Sequence, residues 1–190
     1  MGISTKVAIF AHPEPDVTLQ EAQRVIALER DGLDQLIHTL DQSFLDVVNT
    51  ILDLKGRVIV TGVGKSSHVG RKLVATLAST GTPSYFVHSG EASHGDLGMI
   101  TPDDLVIAIS NSGEASELVH IINYVQRFSI PLISMTKNPH SSLAKASTHV
   151  LFLPDVDEAC SLGMAPTTST TMSMALGDAL AICLLNRRSF

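Results

Sequence analysis

Over residues 17–54 the apolar positions recur at helical spacing: Leu19, Ala22 and Ile26, then Leu33, Leu36, Ile37, Leu40, Phe44, Val48 and Ile51. Thr18 with Glu21 three residues on reads as a capping box, and Gly32 is a place for a kink or a split in the stretch. The spacing therefore predicts two helices behind an N-terminal tail of residues 1–16. The pattern then changes. RVIVTG (57–62), PSYFVH (83–88), DLVIAIS (104–110), PLISMT (131–136) and HVLFLP (149–154) are short, β-branched and almost wholly apolar. Runs without polar alternation suit strands covered on both faces. Helical spacing returns between them at 68–80, 115–128 and 140–147, and again at 167–187. This alternation predicts an α/β three-layer sandwich, a five-stranded parallel sheet flanked by helices, in one domain over 17–190.

The polar residues with unusual chemistry follow strand ends, at 62–68, 88–96, 110–114 and 155–170. In an open parallel sheet, ligands bind in the crevice outside the carboxyl ends of the strands. Four loops are thus expected to converge on one site.

TGVGKSSHVG (61–70) looks like a phosphate loop but fits neither nucleotide motif. A Walker A loop needs glycine where Ile59 stands, and a dinucleotide fingerprint needs it where Ser67 stands. Gly64, Lys65 and Ser66 are still candidates, the lysine to steady an anion or polarise a sugar oxygen. In SNSGEASE (110–117), Ser110, Asn111 and Ser112 supply donors, and Gly113 lets the backbone approach a ligand at a helix N-terminus. The ordinary alternative is a capped turn with Ser112 as N-cap. GEASHGDLGM (90–99) holds Glu91, His94 and Asp96. It reads as a self-capping polar loop, or as the seat of His94 as a general acid–base. Residues 157–171 combine Glu158 with Thr167, Thr168, Ser169, Thr170 and Thr171, a loop or N-cap composition that also suits a polyhydroxylated ligand.

Bulk composition narrows the partners. The chain has 190 residues, 44% hydrophobic and 17% charged, as in ordinary globular domains. A net charge of −6 argues against nucleic acid or an anionic membrane as partner, so a bound phosphate must be held by local geometry. Cys160 and Cys183 form no framework and no CxxC pair; both read as small buried apolar residues of a reduced, cytoplasmic protein. The run VAIFA before His12 and Pro13 is too short for a secretory core, and Asp178 makes the apolar C-terminal segment a buried helix rather than a membrane span. No His/Cys spacing suggests a metal site.

Taken together, GVGKSSHVGRKLVATLASTGTP, FVHSGEASHGDLGMI, AISNSGEASEL and LGMAPTTSTTMSMALGDALA resemble the sugar isomerase (SIS) domain, and more narrowly the arabinose-5-phosphate isomerases. The likeness covers about residues 22–190. It implies the SIS fold and a cofactor-independent aldose–ketose isomerase, interconverting D-ribulose 5-phosphate and D-arabinose 5-phosphate for the Kdo sugar of lipopolysaccharide. By the resemblance, Ser66, Ser110, Asn111 and Ser112 hold the phosphate, and Lys65, His94, Glu117 and Glu158 are the active-site candidates. It also implies homo-oligomers, dimers of dimers. Ser67 replaces a glycine common after Gly-Lys-Ser in the family. Relatives continue past the position of Phe190 into a His-Pro-Gly-Gly stretch, and many into two cystathionine-β-synthase domains; neither is in this sequence. The competing expectation is a module of the same fold that binds a sugar phosphate without turning it over, or an isomerase of another sugar phosphate.

Overall fold

The structure is a computed structural model that describes residues 15–92 and 94–189. The expected tail thus lies, up to residue 14, outside the described residues. β1 (Val58–Gly62), β2 (Ser84–Phe86), β3 (Leu105–Ile109), β4 (Leu132–Thr136) and β5 (His149–Phe152) form one parallel sheet in the order β2-β1-β3-β4-β5. Each lies inside its expected run. Val58, Val60, Leu105, Ile107 and Ile109 join one hydrophobic cluster, while Ile59, Val106 and Ala108 join another on the opposite face. A strand alternates its side chains between faces, so two covered faces leave β1 and β3 no solvent-facing position and their runs read as nearly continuous.

α1 (Pro15–Ile37), α2 (Gln42–Leu52), α3 (Lys65–Ser79) and α7 (Thr168–Arg188) supply the first cluster. α4 (Ser89–Ala92), α5 (Val119–Phe128) and α6 (Ser142–Ala146) supply the second. The result is the three-layer α/β sandwich.

Several local expectations change. Gly32 does not divide α1, because it sits where α1 crosses α7; a Cβ there would fall 2.7 Å from Thr168 Cγ2. The break comes at Asp41, whose carboxylate accepts from the Ser43 amide at 2.8 Å and caps α2. Thr18 lies inside α1 rather than at an N-cap, and the Glu21 carboxylate accepts from Arg24 at 2.7 Å. α3 begins at Lys65, three residues earlier than its apolar spacing indicates. A turn of 3-10 helix (Ser116–Leu118) precedes α5, and α4 and a second such turn (Asp96–Met99) occupy the expected polar loop. Cys160 and Cys183 are free and partly, not fully, buried. By length and composition α7 is apolar enough to cross a membrane, but it packs its Met172, Leu176, Leu180 and Leu184 into the core.

At the amino end of the sheet, Asp104 is buried with 1% exposure and ties β1 to β3. Oδ1 accepts from the Arg57 amide at 2.7 Å, and Oδ2 from Arg57 Nη2 at 3.1 Å and from the Thr101 amide and hydroxyl at 2.8 and 2.9 Å. Burial pushes this carboxyl up, but the bonds from Arg57 and Thr101 outweigh it and hold it below the ordinary carboxylate value. The ionised form therefore favours the folded state; its contribution is present above the ordinary value and is lost as pH falls through the lower folded one. Asp104→Ala should cost about 3 kcal/mol at neutral pH, since it strands buried donors. Urea unfolding should also show a shallower loss of stability below about pH 4 for the variant than for the parent.

Candidate functional site

β1 pairs with β2 on one side and with β3 on the other, so the strand order reverses between β1 and β3. A crevice opens at such a switch point because the two connections leave toward opposite faces. Gly62 stands opposite Ile109 at the carboxyl ends of this pair. A cleft of about 370 Å³ lies there, lined by Val63 and Ser66 after β1, Ser110, Asn111 and Ser112 after β3, Lys137 after β4, and Glu158 and Pro166 after β5.

Each wall has a local cause. Gly64 takes φ +56° with no side-chain cap, which turns the chain sharply from β1 into α3. The Ser67 amide donates to Gly64 O at 3.1 Å, and a helix start of this kind leaves its first amides outside the helical ladder, where an anion can be seated. Ser66 lines the cleft from this first turn, while Ser67 is buried and its hydroxyl donates to Gly64 O at 2.7 Å. The Ser110–Gly113 turn closes on itself, with the Gly113 amide donating to Ser110 O and Oγ, both at 3.1 Å. Outside, the Lys137 amide and the Thr136 hydroxyl both donate to Asn111 O at 3.1 Å, and the Leu143 amide to Gly113 O at 3.1 Å. Ser112 Oγ accepts from the Glu114 amide at 3.3 Å, so it caps a turn rather than α5. Asn111 Oδ1 is buried with no hydrogen-bond partner among the described residues, on a wall of the cleft.

Glu158 brings the one negative charge among the described lining residues. Its Oε2 accepts from the Thr167 amide at 2.7 Å, the Thr167 hydroxyl at 3.2 Å and the Ser169 amide at 3.2 Å. Burial pushes this carboxyl up, but hydrogen bonds from Ser169 and Thr167 prevail and hold it below its ordinary value. It is therefore a carboxylate at neutral pH, seated at the N-terminus of α7.

The structure gathers Ser66, Ser110, Asn111, Ser112 and Glu158 into the lining. Gly64 and Lys65 adjoin it at the start of α3, but Lys65 is exposed and outside it. His94, exposed, donates its amide to Glu91 O at 2.8 Å, and Glu117, exposed, accepts from the Ser116 hydroxyl at 3.1 Å; neither lines the cleft. Thr167 holds Glu158 from behind, and Thr168 is fully buried against Gly32. The loop after β2 reaches the strand ends through Ser89, whose hydroxyl donates to Gly62 O at 3.2 Å, without joining the lining. Lys137 is the charged lining residue that sequence reasoning missed. Its run, KNPH, reads as an ordinary loop, and only the pairing of β3 with β4 sets it beside Asn111.

Residues 51–183 match the SIS domain family. Arabinose 5-phosphate isomerase KdsD of Pseudomonas aeruginosa PAO1 is 55% identical over 172 residues, 90% of this chain and 53% of that protein. KdsD of Escherichia coli K12 is 51% identical over 178 residues, 93% of this chain and 54% of that protein. The chain thus spans about half the length of the curated relatives it matches. Among solved structures, E. coli CFT073 c3406 in complex with arabinose 5-phosphate is similar at a TM-score of 0.90 and 38% identity, covering 94% of this chain and 95% of that one. The Vibrio vulnificus NanR protein complexed with ManNAc-6P is similar at a TM-score of 0.75 and 25% identity, covering 92% and 64%.

Gly113 is the sharpest test of the turn that forms the cleft wall. It adopts φ +69°, and a Cβ would fall 2.5 Å from Ser141 Cβ and 3.0 Å from Thr136 Oγ1. Gly113→Ala should lose about 2 kcal/mol in denaturant unfolding. Gly98→Ala, where a Cβ meets nothing within 4 Å, should stay within about 0.5 kcal/mol of the parent.

Proposed function

The chain belongs to the SIS domain family, and we propose that it interconverts D-ribulose 5-phosphate and D-arabinose 5-phosphate. The observation that carries this reading is one cleft, at the β1/β3 switch point, that holds the Ser110–Ser112 turn, Ser66 and the Glu158 carboxylate together. Likeness to c3406 in complex with arabinose 5-phosphate and to the KdsD isomerases supports the choice of sugar.

In this reading the phosphate sits on Ser66 and the Ser110–Ser112 turn, where hydroxyls and helix-start amides replace its water. The sugar then extends toward Glu158. Isomerisation moves one proton between C2 and C1. The Glu158 carboxylate takes the proton from C2 of the aldose, the C–H electron pair forms the enediolate double bond, and the carbonyl electrons move to O1. Return of the proton to C1, with transfer of the O2 proton to O1, gives the ketose. His94 as acid–base at oxygen, Lys65 as electrostatic stabiliser and Glu117 as an orienting group enter this scheme through the resemblance alone. So does any contact of Gly64, Thr167 or Thr168 with the sugar. The scheme uses no cofactor or metal.

The capping bonds on Glu158 Oε2 support a second reading, a module that binds the sugar phosphate without turnover, because a carboxylate so well satisfied is a weakened base. The isomerase reading places the chain in the cytoplasm, in the pathway to the Kdo sugar of lipopolysaccharide, with no nucleic-acid or membrane partner. It also favours a homo-oligomer, a dimer of dimers, and α1 leaves Ile26 and Ile37 at 68% and 64% exposure as apolar contacts for a second copy. Light scattering at micromolar concentration should give a dimer or tetramer; a monomer would remove the oligomer claim.

Solvent deuterium incorporation into D-ribulose 5-phosphate separates isomerase from module. Glu158→Gln keeps an acceptor for the Thr167 and Ser169 amides and removes the base. Exchange should fall about 10²–10⁴-fold while affinity stays near the parent's. Ser112→Ala should weaken binding first. Exchange at the parent rate in Glu158→Gln would show that another group is the base. A parent that binds the sugar phosphate and exchanges nothing would favour the module.

A further inference from the structure

We infer that Lys137 is the cation that selects a phosphate dianion in this cleft, and that Asp155 is its resting counter-ion. The inference rests on the sugar-phosphate reading above and assigns the full positive charge that lies in the cleft lining itself. Among the described residues lining the cleft, Lys137 carries the positive charge and Glu158 the negative one. The two cancel. A phosphate monoester adds about −1.5 to −2 at neutral pH, in a chain whose net charge is already −6. Serine hydroxyls and backbone amides offer partial charges only, so a full cation in the lining decides whether the dianion is preferred to a neutral sugar.

The position of Lys137 is fixed where it matters. Its amide donates to Asn111 O at 3.1 Å, and the residue before it does the same through the Thr136 hydroxyl at 3.1 Å. The Asn138 amide in turn donates to Thr136 Oγ1 at 3.2 Å. The start of the side chain is therefore anchored beside the serine turn. Its tip is held loosely: Nζ donates to Asp155 Oδ1 at 2.7 Å, but the side chains are 36% and 79% exposed. Ion pairs so exposed contribute little stability and are readily exchanged. A phosphate on the Ser110–Ser112 turn offers the ammonium a more highly charged acceptor, in a less hydrated place, than the solvated Asp155. Asp155 keeps the lysine extended and discourages weaker anions; the dianion displaces it.

Calorimetric titration of the 190-residue chain with D-arabinose 5-phosphate, inorganic phosphate and D-arabinose tests this. Lys137→Met should weaken both phosphate ligands about tenfold, leave D-arabinose unchanged, and flatten the fall of affinity with added salt. Lys137→Arg should keep affinity within about threefold of the parent. Asp155→Asn removes the competitor and should tighten both phosphate ligands a few-fold. If the parent binds both phosphates and Lys137→Met and Asp155→Asn bind them equally well, the inference is overturned and the sugar-phosphate reading stands. Equal losses for arabinose and its phosphate would also overturn it, because the lysine would then serve the sugar. A parent that binds none of the three overturns the reading and the inference with it.

Discussion

In the central strand pair, Gly62 of β1 stands in register with Ile109 of β3, and the chain leaves the two strands toward opposite faces of the sheet. α3, which follows β1, packs into one hydrophobic cluster, and α5, which follows β3, into the other. Right-handed crossovers impose this once β2 and β4 add to opposite sides of the pair. The crevice is a consequence of that parting. Remove the β1–β3 register and the Ser110–Gly113 turn no longer faces the start of α3. Asp104 secures the same pair from its other end, through Arg57 and Thr101, so a structural ion pair and the candidate ligand site bear on one strand contact.

The cleft is built largely from backbone held in place by second partners. The Ser110–Gly113 turn is fixed by Thr136, Lys137 and Leu143, and Glu158 by Thr167 and Ser169. Such preorganisation suits a small anion, whose binding is strongest when its donors need no rearrangement. It also ties function to stability at a few points. Gly113 has no room for a methyl group, and Glu158 serves the N-terminus of α7 whether or not it serves a substrate.

Most of this architecture was legible in the sequence, for one physical reason: strands buried on both faces lose all polar alternation, and helices facing a sheet keep their 3.6-residue period. The switch-point loops were legible because serine, asparagine and glycine crowd at strand ends only when the backbone there has another task. What was hidden depended on contacts between distant segments. Gly32 looked like a break and is a close crossing with Thr168. Lys65 to Ser67 are polar, so the true start of α3 left no apolar signature. Thr167 and Thr168 looked alike, yet one supports Glu158 and the other is buried in the helix crossing. Lys137 was invisible because a lone lysine in a loop has no pattern until β4 places it.

The central claim, that a phosphate sits at the β1/β3 switch point, is tested most directly by amide chemical-shift mapping. The chain is titrated with D-arabinose 5-phosphate and, separately, with inorganic phosphate. The account predicts saturable shifts concentrated at residues 64–67, 110–113 and 137, shared by both ligands, with further changes around Glu158 for the sugar phosphate alone. Shifts concentrated elsewhere, such as the apolar groove between Leu36 of α1 and Ala179 of α7, with the Ser110–Gly113 amides unmoved, would contradict it.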